Sequence, residues 1–162
     1  MDFEKTKGPW EEIINQTHQK LKKIGYNKII FDQFKDDDSY LKAHAGLPGV
    51  YWAFAKDSER IWIELELRSR VIGGERYSQN NLYDCIQKRY SNSKNKIDSI
   101  TWDEEDRQLY RRKSGSKPIR IKIYLHDRIG LSLIQECSKA MVEFIKVFKP
   151  ILDACLNQKE PI

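Results

Sequence analysis

Long apolar runs are missing from this 162-residue chain. None approaches the roughly 20 residues that a membrane-spanning helix requires, so no membrane contact is expected. The opening Met1-Asp2-Phe3-Glu4-Lys5 is charged and lacks the apolar stretch of a secretory signal. Cysteine is sparse and odd in number: Cys85, Cys137 and Cys155, with no CxxC pair. That count argues for reduced thiols in a cytoplasmic protein rather than a disulfide or zinc framework. His18, His44 and His126 are scattered with no partner at ligand spacing, so no metal and no cofactor is expected. The sequence has no GxGxxG, no phosphate-cradling GxxxxGK[ST], no RNP-type aromatic motif and no zinc finger.

What is present is a polar, aromatic-rich chain of mean hydropathy −0.71, with 33% charged and 11% aromatic residues. The aromatics argue against disorder. At this length one domain, 1–162, is expected; it can bury roughly 70% of its unfolded surface without a metal or disulfide staple. The net charge is +5, and it is unevenly placed. Residues 1–81 carry 13 basic and 13 acidic side chains, whereas 82–162 carry 16 and 11. Within 107–122, seven bases (Arg107, Arg111, Arg112, Lys113, Lys117, Arg120, Lys122) occur without an acid. Such a run creates a local positive field that the whole-chain charge understates.

Periodicity predicts the elements. A helix over 9–24 opens on Pro9, with Glu11 and Glu12 near its N-terminus. It places Trp10, Ile13, Ile14, Thr17, Leu21 and Ile24 on one face and ends at Gly25. A strand over 26–34 is stopped by Asp36-Asp37-Asp38-Ser39, and Gly46, Pro48 and Gly49 mark a loop. Residues 50–67 read as a hairpin. On its second strand Ile61, Ile63, Leu65 and Leu67 face one way and Trp62, Glu64, Glu66 and Arg68 the other.

A second helix is expected over 78–90, with Leu82, Cys85, Ile86 and Arg89 on one stripe. A short strand follows over 97–102, then a basic hairpin joining 107–113 to 118–125 through Ser114-Gly115-Ser116. The last helix opens at Ser132 with Gln135 at capping-box spacing. Its stripe is Leu133, Ile134, Cys137, Met141, Phe144, Ile145 and Phe148, and Pro150 is expected to kink it before 151–156. The tail 157–162 is expected to fray. The order suggests two strand–hairpin–helix units, about 26–90 and 97–149, behind a leading helix. The fold class is therefore α+β: a largely antiparallel sheet of about six strands, with three helices mainly on one face.

The other face should carry Trp62, Glu64, Glu66 and Arg68 from one hairpin, and Tyr110, Arg112, Arg120, Lys122 and Tyr124 from the other. Aromatic rings interleaved with bases suit single-stranded nucleic acid, the rings stacking on bases and the cations meeting phosphates. A solvated face with cross-strand Glu–Arg pairs has the same pattern. The candidate nucleic-acid-binding residues are Trp62, Arg107, Tyr110, Arg111, Arg112, Lys113, Lys117, Arg120, Lys122 and Tyr124. The partner would be DNA or RNA; the competing partner is a protein or a second copy, meeting the same face.

Catalysis finds less support. The order of elements in 9–102 is also that of restriction-endonuclease-like cores, which need an acid on the second strand and acid-x-Lys on the third to hold a divalent metal. Here Glu64-Leu65-Glu66 is followed on its face by Arg68, and the nearest second-strand acid is Asp57, in the turn. A metal-dependent nuclease is thus the weakest of three readings, and no catalytic residue is assigned. The acidic clusters 36–38 and 103–106 lack calcium-loop spacing and read as strand-ending turns. Cys85 and Cys137 read as inert core thiols and Cys155 as more exposed.

Several segments together resemble an uncharacterised bacterial and archaeal domain family: Val50-Tyr51-Trp52-Ala53-Phe54, Ile61-Trp62-Ile63-Glu64-Leu65-Glu66-Leu67, Leu82-Tyr83-Asp84, Ile100-Thr101-Trp102 and Phe148-Lys149-Pro150-Ile151-Leu152. Domains of that family often follow a restriction-endonuclease-like nuclease part. The resemblance implies an accessory or recognition domain in a DNA-associated or defence setting, without catalytic residues to carry over.

Overall fold

A computed structural model describes residues 3–34, 40–45, 49–56, 60–68, 71–72, 77–102, 119–125 and 133–157. In chain order the elements are α1 (Phe3–Lys23), β1 (Gln33–Phe34), β2 (Tyr40–His44), β3 (Val50–Lys56), β4 (Ile61–Leu67), β5 (Val71–Ile72), β6 (Tyr77–Ser78), α2 (Gln79–Ser91), β7 (Ile100–Trp102), β8 (Ile119–Tyr124) and α3 (Leu133–Leu156). The expected α+β class holds. One antiparallel sheet has the order β1-β2-β3-β4-β8-β7, and β5 pairs with β6 separately. Among the described residues no helix is long and apolar enough to cross a membrane.

The helices follow their local chemistry closely. α1 ends where Gly25 takes φ +90, with Tyr26 N donating to Leu21 O at 2.8 Å and Gly25 N to Lys22 O at 3.1 Å. This paired closure is the Schellman arrangement, which favours glycine because a Cβ resists the left-handed backbone. The helix begins at Phe3, not at Pro9. A proline forgoes one main-chain bond but already holds a helical φ, so the turn before it can still form. α2 begins after Ser78, whose hydroxyl accepts from Asn81 N at 3.1 Å. α3 runs through Pro150 to Leu156 as a single element.

Period-two alternation places the sheet's core face. Leu41 and Ala43 from β2, Val50, Trp52 and Phe54 from β3, Ile63, Leu65 and Leu67 from β4, and Ile119, Ile121 and Ile123 from β8 are buried in one cluster. The same cluster takes Trp10, Ile13 and Leu21 from α1, Leu82, Tyr83 and Ile86 from α2, and Met141, Phe144, Ile145 and Phe148 from α3. Trp52 meets Phe144 edge-on at 5.9 Å, and Phe144 lies 4.8 Å from Phe148. The three helices therefore cover one face and bring the sheet's remaining side chains to the other.

Several expectations are corrected. Of the strand expected over 26–34, only Gln33–Phe34 pairs in the sheet. Upstream, Phe31 N donates to His18 Nε2 at 3.0 Å, so that backbone is tied to α1 instead of to a strand. β2 falls where the sequence reading had a stop and a loop. Its alternation is masked because Tyr40 and Leu41, on opposite faces, are both buried and apolar. Ile24, beyond the last turn of α1, is 40% exposed and leaves the expected apolar face. On α2, Arg89 is exposed and leaves the expected apolar stripe, while Tyr83 is buried with Leu82 and Ile86. The expected turn clusters at 36–38 and 103–106, the hairpin arm 107–118, Ser132 and the tail from 158 lie outside the described residues.

The cysteine reading is also corrected. Cys85 of α2 and Cys155 of α3 form a disulfide, with Cα atoms 6.0 Å apart across a sequence separation of 70. The two helices lie side by side, a long-range relation that cysteine count and spacing do not reveal. Cys155 is fully buried rather than exposed. Cys137 alone is free among them; it lies in the core as expected, and burial pushes its thiol up to about 11.

Candidate functional site

The helix-free face is ordered by register into three rows. Tyr40, Ala55, Trp62 and Tyr124 stand across β2-β3-β4-β8; Lys42, Ala53, Glu64 and Lys122 form the next row, continued by Thr101 of β7; His44, Tyr51, Glu66 and Arg120 form the third. The alanines in the middle of β3 are decisive. With only methyl groups at 53 and 55, the Tyr40 ring crosses over β3, packs on both alanines and Trp62, and brings its hydroxyl to β4. There it lies 2.6 Å from Glu64 Oε2 and also hydrogen-bonds Glu66 Oε2.

This overturns the expectation that Glu64 and Glu66 sit on an exposed strand face. Both are fully buried. A buried carboxylate requires compensation, and the two acids share several partners. Trp62 Nε1 donates to Glu64 Oε1 at 2.7 Å, and Arg68 donates to Glu66 Oε1 at 2.8 Å. Arg120 Nε stands 3.0 Å from Glu64 Oε2 and 3.8 Å from Glu66 Oε2. The Arg120 contact is a close ion pair whose angle falls short of a hydrogen bond.

The two carboxyls are pushed in opposite directions. Burial raises Glu64, and Glu66 beside it adds to the rise; Arg120, Tyr40 and Trp62 offset this only in part. Burial also acts on Glu66, but hydrogen bonds from Tyr40 and Arg68, with the charges of Lys42 and Arg120, outweigh it and hold Glu66 below the usual carboxylate range. Burial and the two acids hold the Tyr40 phenol protonated far above its ordinary value. The Tyr40 hydroxyl is shared as donor between Glu64 Oε2 and Glu66 Oε2, with Arg68 and Arg120 held in their charged forms beside them.

Around this sunken unit lie rings and cations. The Trp62 and Tyr124 rings are 5.7 Å apart. The Arg60 guanidinium carbon is 4.8 Å from the Tyr124 ring centre, and Lys122 Nζ is 5.4 Å from that of Trp62. On the β2 side, Lys42 Nζ lies 4.2 Å from the Tyr51 ring centre, and His44 is 5.1 Å from the same ring. Arg60 and His44 are exposed; Lys42, Tyr51, Trp62, Lys122 and Tyr124 are half-buried. No family model, no curated protein and no solved structure matches the chain.

Of the sequence-predicted binding residues, the structure brings Trp62, Arg120, Lys122 and Tyr124 together on adjacent strands. Arg120 turns inward to the acids, while Lys122 stays with the rings. Arg107, Tyr110, Arg111, Arg112, Lys113 and Lys117 lie outside the described residues, as do Asp57 and His126. Sequence reasoning missed Tyr40, Lys42 and Arg60. The signal for Tyr40 was the pair Ala53 and Ala55, two small residues in an otherwise bulky strand, which leave room for a ring from a neighbour. Among the described residues, no group of His, Cys, Asp and Glu has the arrangement of a metal site.

Proposed function

We propose that the chain is a non-catalytic nucleic-acid-binding module that meets single-stranded DNA or RNA on the helix-free face of its sheet. One observation carries this reading: the burial of Glu64 and Glu66. In sequence these acids offset the bases of the face. In three dimensions they are neutralised beneath it by Tyr40, Trp62, Arg68 and Arg120. What remains toward the outside is Lys42, Arg60 and Lys122 against the rings of Tyr51, Trp62 and Tyr124. A base can stack on such rings while the cations that already sit over them meet the phosphates.

In sequence the basic run 107–117 shortly precedes β8, which carries Arg120 and Lys122. The resemblance read from the sequence segments to accessory domains of nuclease-containing proteins favours a DNA-associated setting. The nuclease reading gains no support from Glu64 and Glu66, whose oxygens already face Tyr40, Trp62 and two arginines.

The test is binding of labelled oligothymidylate, oligouridylate and duplex DNA to the full chain at low salt. Tighter binding of the single strands, weakened by Tyr124→Ala, supports the reading. Equal indifference to all three overturns it; a concentration-dependent dimer lost in Tyr124→Ala would then favour self-association through the same face.

A further inference from the structure

Pro150 divides α3 unequally. Lacking an N–H, it leaves the Lys146 carbonyl without its helical donor, so the piece after it is weakly coupled to the helix before it. That piece, 151–156, is far shorter than the roughly 12–15 residues an isolated helix needs in water. No basic side chain opposes the dipole of its last turn. Ile151 and Leu152 are buried, but within 153–157 the buried residue is Cys155. The Lys149–Asp153 pair, at 2.9 Å, spans the proline from partly exposed positions and contributes little. A groove of about 370 Å³, lined by Arg89 and Asn92 at the end of α2 and by Pro150, Ile151 and Ala154, loosens the packing between the two helices here. The Cys85–Cys155 disulfide ties the final turn to α2 covalently, where Cys155 lies in the core and Leu156 packs against it. Its two residues differ in exposure: Cys155 is fully buried and Cys85 half-buried.

We propose that Cys85 and Cys155 form a redox latch, closed when the disulfide pins the last turn of α3 to α2 and opened when a low-molecular-weight thiol attacks at Cys85. In opening, an incoming thiolate bonds to Cys85 Sγ, the bond to Cys155 breaks, and Cys155 leaves as a thiolate that takes up a proton. A second thiolate then attacks the incoming sulfur of the mixed disulfide and releases Cys85. Two protein thiols and one small disulfide result, and closing is the reverse. The unequal burial sets the order: Cys85 is the entry sulfur and Cys155 the resolving one. The latch is independent of the nucleic-acid reading, because neither cysteine lies on the sheet.

The test uses the full chain equilibrated in graded mixtures of reduced and oxidised glutathione, with differential alkylation read by mass spectrometry and amide hydrogen exchange on the same samples. Cys85 and Cys155 change together while Cys137 stays a thiol throughout, and amides of 153–157 exchange about 10-fold faster or more in the reduced form while β3 and β4 are unchanged. Cys85→Ser reproduces the reduced pattern; if Cys155→Ser does not fold, reduced wild type and Cys85→Ser carry the comparison. Independent modification of the two cysteines, equal exchange of 153–157 in both forms, or a speeding of amides throughout the sheet would each overturn the latch.

Discussion

The Tyr40 hydroxyl reaches Glu64 Oε2 at 2.6 Å from two strands away, over the methyl groups of Ala53 and Ala55. That single reach lets two carboxyls lie buried in a sheet face with the rings and cations of the face above them. It also makes the phenol a point of failure. Tyr40→Phe keeps the ring and removes the hydroxyl that hydrogen-bonds both acids, and is expected to cost about 1–3 kcal/mol in urea unfolding. A change below about 0.5 kcal/mol, the range of ordinary surface substitutions, would mean the phenol is dispensable.

The two acids should not respond alike to neutralisation. Glu64→Gln replaces a carboxyl whose proton affinity burial has raised, and should cost less than Glu66→Gln. Glu66→Gln replaces one held below the usual carboxylate range and paired with Arg68 at 2.8 Å and Arg120 at 3.8 Å, and should cost about 2 kcal/mol or more in urea unfolding. The reverse ranking would contradict that assignment of opposite shifts.

The pH profile of stability follows from the same assignment. Glu66 is depressed in the folded state, so its contribution is full above the ordinary carboxylate value of about 4.3 and is lost as pH falls through its folded value. Glu64 is raised, so the folded state holds its proton longer, and stability declines as pH rises from about 4.3 through the folded value. Urea midpoints across pH should show an acid-side loss that Glu66→Gln removes and a decline above it that Glu64→Gln removes.

His18 supplies a separate pH term. Its Nε2 accepts the Phe31 N–H at 3.0 Å, and burial lowers its pKa against the opposing pull of Asp32. The unfolded chain therefore binds the proton more readily, and stability falls as pH drops below about 6.5 until the folded value is passed. His18→Gln, which keeps an acceptor but does not titrate, should flatten that part of the profile; an unchanged slope would assign it elsewhere.

Legibility in the sequence divided along physical lines. The hairpin of β3 and β4, the cap at Gly25 and the α3 stripe were readable because period two, period 3.6 and capping chemistry act locally. β2 was hidden by an apolar pair on opposite faces, Tyr40 and Leu41. The burial of Glu64 and Glu66 was hidden because alternation assigns a residue to a face but not a depth; depth came from a ring two strands away. The Cys85–Cys155 bond was hidden for the same reason, being set by how two distant helices lie together. Among the described residues, Lys122, Tyr124 and Trp62 fell where alternation put them, while Arg120 shared their face but turned inward to the acids.

The most direct test of the account is the salt dependence of single-strand binding for wild type and for Arg60→Gln/Lys122→Gln. Each phosphate contact on a single strand contributes about 0.7 to the slope of log affinity against log salt, so losing two cations should flatten the slope by about 1.4 while the variant stays folded. A slope that stays the same in the double variant, with binding intact, would show that this face is not where the nucleic acid lies.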